Sequence, residues 1–117
     1  MSRTYKDYIE DILRAITDIE NFTEGLDFDS FVHDRKTVYA VMRALEIIGE
    51  AAKKVPDEVR ARAPELPWRY MARMRDKLIH HYHGVDLEMV WLVVKEELPK
   101  VRKPLKKLLT QYGEDER

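Results

Sequence analysis

The chain reads as an all-α protein, an up-and-down bundle of four or five helices. Three observations predict this. Apolar residues recur at three- and four-residue spacing along most of the chain. No segment alternates apolar and polar residues as a strand would, and no hairpin turn signal appears. Glycines and prolines fall between the periodic stretches, apart from Gly49, Pro99 and Pro104.

The first helix carries Tyr5, Tyr8, Ile9, Ile12, Leu13, Ile16 and Ile19 on one stripe. Thr4 and Asp7 form a capping-box pattern at its start, and Gly25 marks its end. The second is predicted from about Ser30 to Lys54, with Phe31, Val38, Val41, Met42, Leu45 and Ile48 as its stripe. It also holds Ala40, Ala44, Gly49, Ala51 and Ala52. A helical glycine costs up to about 1 kcal/mol relative to alanine, so close packing of a neighbouring helix is the expected compensation.

Pro56-Asp57 opens a short third helix, which Pro64 and Pro67 end. The fourth runs from Trp68 to about His81, with Met71, Met74 and Leu78 turned to the core. Asp86 caps a fifth, whose stripe is Leu87, Val90, Trp91, Val94 and Leu98. Pro99 and Pro104 predict one kinked helix or two short ones in series, continuing through Val101, Leu105, Leu108 and Leu109. A single domain over 1–112 and a frayed tail over 113–117 complete the plan.

With 117 residues the chain fits one domain with a real core. It has no cysteine, which excludes disulfide and thiolate chemistry. No apolar run approaches the ~18 residues of a membrane span, and the first residues lack a signal-like apolar core. The expectation is a cytoplasmic protein without membrane contact. Net charge is −1, so no global field draws it to nucleic acid, and an anion site must come from local charge. Local charge is uneven. Residues 20–34 hold Glu20, Glu24, Asp27, Asp29 and Asp34 and no lysine or arginine. Residues 68–83 hold Arg69, Arg73, Arg75 and Lys77 against Asp76, followed by His80, His81 and His83. Lys100–Lys107 adds five basic residues and no acid, either a further part of an anion cleft or a solvated face.

The stretch Arg75-Asp-Lys-Leu-Ile-His80-His-Tyr82 carries the chemistry. Arginine offers a permanent planar cation that matches phosphate oxygens. Histidine exchanges a proton near neutral pH. Tyrosine donates a hydrogen bond or accepts a modification. At the end of a helix the macrodipole favours protonated His80, while Arg75 and Lys77 oppose it. Ideal helical geometry does not join Arg75 to His80. The arginine's length, an unwound last turn before Gly84, or a second copy across a dimer interface must close the gap.

Structural roles stand beside these. Arg75 could pair with Glu46 or Glu50, His80 could bond a helix-end carbonyl, and Tyr82 could be a core aromatic. His81 and His83 read as supporting or solvated residues, and Trp68 and Trp91 as core or interface. A metal shared by His80 and Asp76 is the weaker reading, because a catalytic zinc site needs three ligands. No metal and no cofactor are expected.

Arginine, four residues, histidine, one residue and tyrosine, at Arg75, His80 and Tyr82, resemble the motif of HepT-like toxins of the HEPN superfamily. Ala44-Leu-Glu-Ile-Ile-Gly-Glu-Ala-Ala-Lys53 resembles that family's second-helix block. Met74 to Tyr82, then Val85-Asp86 and Trp91, resemble its fourth-to-fifth helix junction. The resemblance covers nearly the whole chain. It implies a ribonuclease toxin of a type VII-like toxin–antitoxin pair, a homodimer with both motifs facing one cleft. The cognate partner is a nucleotidyltransferase antitoxin, called MNT, that transfers AMP to the motif tyrosine, here Tyr82. Catalysis would fall to Arg75, His80 and Tyr82, and RNA phosphate binding to Arg69, Arg73, Lys77, His81 and His83. A catalytically inactive nucleotide-binding partner of a nucleotidyltransferase, and a structural adaptor, are the rival classes. Phe22, Phe28 and Phe31, beyond what a four-helix core needs, suggest an interface.

Overall fold

A computed structural model describes residues 3–80 and 86–115, excepting the side chains of 75, 77–80 and 111–115. The elements are α1 (Tyr5–Thr23), α2 (Phe28–His33), α3 (Arg35–Lys54), α4 (Asp57–Arg60), α5 (Trp68–His80), α6 (Leu87–Leu92), a π turn (Val93–Glu97) and α7 (Leu98–Asp115). Among the described residues there is no strand.

The helix starts follow from side chains that accept otherwise orphaned backbone N–H groups. Thr4 N–H donates to Asp7 Oδ2 at 2.8 Å, closing the capping box. Gly25, with φ +77°, takes the left-handed turn that releases the chain from α1. Asp86 Oδ1 accepts from Glu88 N–H at 3.0 Å and Met89 N–H at 3.2 Å, so it does cap α6.

The stretch predicted as one helix from Ser30 to Lys54 is two. Asp34 breaks it: its Oδ1 accepts from Thr37 N–H at 3.1 Å and its Oδ2 from the Thr37 hydroxyl at 2.7 Å. A side chain that bonds the next turn's backbone competes with continuing the previous helix. Those Thr37 hydrogen bonds hold the Asp34 carboxyl below the usual carboxylate range. The cap is therefore present above that ordinary range and is lost as the pH falls through the lowered value.

Of the two arrangements expected at the prolines, the structure has the single continuous helix and not two short ones. The backbone stays helical from Leu87 to Asp115 across both prolines. The adjustment is the π turn directly before Pro99, where Leu98 N–H bonds the Val93 carbonyl five residues back. The wider turn accommodates a residue that cannot donate and whose ring crowds the preceding turn. α7 covers 113–115, the start of the expected tail.

One core runs through the bundle. Ile9, Ile12, Ile16 and Ile19 of α1 are fully buried, as are Val41, Ile48 and Ala52 of α3 and Leu105 of α7. Each of the isoleucine, valine and leucine side chains among them contributes roughly 1.5–3 kcal/mol. α3 is sandwiched between α1 and α5, which explains its small residues: Ala44, Gly49, Ala51 and Ala52 are all buried. Phe31 is fully buried, its ring 4.9 Å from that of Trp91. Phe28 is half-buried, with its ring centroid 6.3 Å from Trp91. Of the three phenylalanines expected to mark an interface, only Phe22 stands exposed, because α2 folds back onto α6. No described helix is long and apolar enough to cross a membrane.

Candidate active site

The site is organised by α5, whose entrance is firmly held. Trp68 is buried and its indole N–H donates to the Ala63 carbonyl at 3.0 Å. Met71 N–H bonds the Pro67 carbonyl at 2.9 Å, starting the helix just past the proline. Met71 and Met74 are buried as predicted; Leu78's side chain lies outside the described residues.

The opposite face is open. At 3.6 residues per turn, positions 69, 73, 76 and 80 fall within about 60° of one another. Arg69 and Arg73 are exposed on that face, and among the described residues neither guanidinium meets a carboxylate. Asp76 is the acid on the same face, and it is neutralised from α3: Lys53 Nζ lies 3.3 Å from both of its carboxylate oxygens. The face that leads to the His80 position is thus left net positive.

α5 is regular through His80, so no unwinding inside it brings Arg75 nearer. Their positions differ by about 140° around the axis. Arg75 falls beside the buried Trp68–Met71 flank, and His80 on the open face. The side chains of Arg75, Lys77 and His80, and the whole of His81, Tyr82 and His83, lie outside the described residues. Glu46, considered as a partner for Arg75, is engaged by Arg43 Nη1 at 3.1 Å, and the same nitrogen is 4.0 Å from Glu50. No three histidine, aspartate or glutamate side chains converge among the described residues.

Two depressions flank the entrance of α5. One, open and about 510 Å³, is lined by Leu66, Pro67, Trp68, Arg69, Tyr70 and Arg73. The other, an apolar groove of about 400 Å³ toward α6 and α7, shares Pro67 and Tyr70 and is rimmed by exposed Met89 and Leu92. Tyr70 stands between them. Burial, with the nearby Glu97 carboxylate, raises its phenol above the usual tyrosine value. Lys53 and Tyr70 went unassigned in the sequence. The Lys53–Asp76 contact spans 23 residues, so no local spacing could reveal it; Lys53's place at the end of the Ala44–Lys53 block was the available hint.

An all-helical bundle whose α5 ends in Arg75, four residues and His80, with Tyr82 just beyond, is of the HEPN type. The chain belongs to the ribonuclease HepT-like family, whose profile matches residues 12–108. It is 54% identical over 108 residues to a Thermococcus cleftensis protein named "Probable ribonuclease HepT", covering 92% of this chain and 98% of that one. It is 43% identical over 112 residues to "Putative RNase MJ0125" of Methanocaldococcus jannaschii, covering 96% and 97%. A Caldanaerobacter subterraneus protein, "Putative RNase TTE0752", is 39% identical over 107 residues, covering 92% and 96%. No solved structure matches the chain.

Proposed function

We propose that the chain is a metal-independent endoribonuclease acting from a homodimer cleft, the toxin of a type VII-like toxin–antitoxin pair. The observation that carries the reading is the open face of α5, where Arg69 and Arg73, without a carboxylate partner among the described residues, lead to the His80 position in a chain of only −1 net charge. Membership in a ribonuclease family supports it.

The chemistry is transfer of a phosphodiester to its own 2′-hydroxyl. His80 takes the 2′-hydroxyl proton, and the oxygen attacks the adjacent phosphorus. The bond to the 5′-oxygen breaks, leaving a 2′,3′-cyclic phosphate. The partner's His80 or water protonates the departing oxygen. Arg75 stabilises the added negative charge on the phosphoryl oxygens, and Tyr82 positions the phosphate or a base. Arg69, Arg73, Lys77, His81 and His83 bind flanking phosphates. The 140° between Arg75 and His80 positions in one helix favours a cleft built from two copies. The cognate MNT-type nucleotidyltransferase silences the site by transferring AMP from ATP to the Tyr82 phenol oxygen, with loss of the phenol proton and release of pyrophosphate, which puts a bulky anion where RNA phosphate must lie.

The deciding experiment is RNA cleavage by the parent and by His80→Ala, in excess EDTA. The parent should cleave and the variant should lose 10²–10⁴-fold or more of the rate, with an unchanged thermal midpoint. Equal rates would overturn the mechanism. Loss of parent cleavage in EDTA, restored by one divalent ion, would overturn the metal-free route. Nucleotide binding without any RNA fragments would make the chain a binding partner instead. Intact mass after incubation with the nucleotidyltransferase and ATP should rise by whole AMP units, and Tyr82→Phe should abolish the gain.

A further inference from the structure

We infer that the entrance of α5 is a separate nucleotide subsite, in which Arg69 and Arg73 grip a phosphate and Tyr70 stacks under the base of a single-stranded RNA segment. The inference rests on the ribonuclease reading and names the form of its substrate. The two guanidiniums are one helical turn apart on the open face, exposed and without carboxylate partners among the described residues. Two adjacent planar cations suit one phosphate, and arginine is the residue that holds phosphate by a fork of donors. Tyr70 separates this cationic depression from the apolar groove, being part of the wall of both. A nucleotide has the same division, an anion at one end and an apolar ring face at the other.

Position along the helix sets the distance to the reacting bond. Arg73 lies seven residues before His80 and Arg69 eleven, or about 10 and 16 Å along the axis. A phosphate held there is not the one being cleaved, so the substrate must extend at least one nucleotide beyond it, along α5. A base splayed over Tyr70 must be unstacked, and that selects single strands over duplex. The occupant of the groove rim, Met89 and Leu92, is then the edge of that base or its neighbour. The unpaired guanidiniums beside the groove favour this over a second copy of the chain.

The test measures binding without turnover, using the full-length His80→Ala chain and a fluorescently labelled uridine hexanucleotide. Each phosphate contact on a single strand contributes about 0.7 to the slope of log K against log salt. Adding Arg69→Ala and Arg73→Ala, which together release that one phosphate, should therefore flatten the slope by about 0.7, with an unchanged circular dichroism spectrum. Tyr70→Ala should weaken hexanucleotide binding about five- to hundredfold, while Tyr70→Phe, which keeps the ring, should not. A dinucleotide should bind far more weakly than the hexanucleotide, and a duplex of the same length should compete poorly. An unchanged salt slope in the double arginine variant overturns the subsite, as does equal affinity for di- and hexanucleotide. If Tyr70→Ala alters the sedimenting mass and leaves RNA affinity intact, the groove is a subunit interface and the subsite is wrong. If the His80→Ala chain binds no RNA and the parent cleaves none, the ribonuclease reading falls with it. Parent cleavage with an unaltered slope sinks the subsite alone.

Discussion

The surfaces of α1, α3 and α7 and the outer face of α5 are both rich in charge, and they use it differently. On the first, several cations are spent on neighbours, although Lys103, Lys106 and Lys107 of α7 meet no carboxylate among the described residues. Arg102 reaches across from α7 to Glu20 and to Thr17 on α1, the latter at 3.2 Å. Arg43 takes Glu46, and Lys54 lies over the Tyr8 ring, 5.6 Å from its centroid. On the second, Arg69 and Arg73 have no such partners among the described residues, and the acid there, Asp76, is held by a lysine from another helix. Exposed ion pairs contribute little to stability, so pairing does not make the first region strong. The difference teaches where a multivalent anion can settle: only an unneutralised cluster offers it a net attraction.

The largest way to break this comparison lies beneath both surfaces. Ile48 is fully buried on α3 at the level of Gly49 and Ala52. Ile48→Ala should destabilise the fold by about 2–5 kcal/mol, read as a fall in the urea midpoint. A loss within error would mean that the α1–α3–α5 sandwich is not the core. RNA affinity measured well below the unfolding midpoint should be unchanged, since no charge has moved.

A smaller effect should separate the two regions. Lys53→Ala removes the cation that masks Asp76 and leaves a bare carboxylate on the open face. RNA binding should weaken about fivefold, the consequence of ~1 kcal/mol between charges about 4 Å apart in water, while stability changes by under about 1 kcal/mol. Asp76→Asn in the same chain should restore the affinity. Failure of that second change to restore it would show that Lys53 acts by some means other than covering Asp76.

The smallest effect is expected on the paired side. Arg102→Met keeps much of the apolar stem and deletes the cross-helix pair with Glu20. Stability should fall by less than about 1 kcal/mol, and the small loss should shrink further in high salt. RNA affinity should hold. A drop matching that of the double arginine variant would extend the anion-binding surface to α7.

Much of the fold was legible because helix periodicity and caps are local. The stripe of α1, the Thr4–Asp7 box, the Asp86 cap and the Met71–Met74 flank need only neighbours within about a turn. Where the structure departs from the local signals, tertiary contacts are the reason. Asp34 ends one helix and starts another because α2 must fold back to set Phe31 against Trp91. Pro99 predicts a kink or a break because its missing donor is visible in sequence, whereas the π turn that absorbs it is not. Phe28 and Phe31 suggested an interface because hydrophobicity does not say which surface it will meet.

An all-helical chain, the basic run from Arg69 to Lys77, and the Arg75, His80 and Tyr82 motif that marks the family are legible in the amino-acid order alone. Those are properties of composition and spacing, and they survive in any arrangement of the helices. Tertiary packing alone makes Lys53 cover Asp76, makes Tyr70 part a cationic hollow from an apolar groove, and leaves Arg69 and Arg73 without an acid opposite them among the described residues. Each depends on which residues distant in the chain come within a few ångströms, and Coulomb and packing forces act over that distance, not over sequence separation.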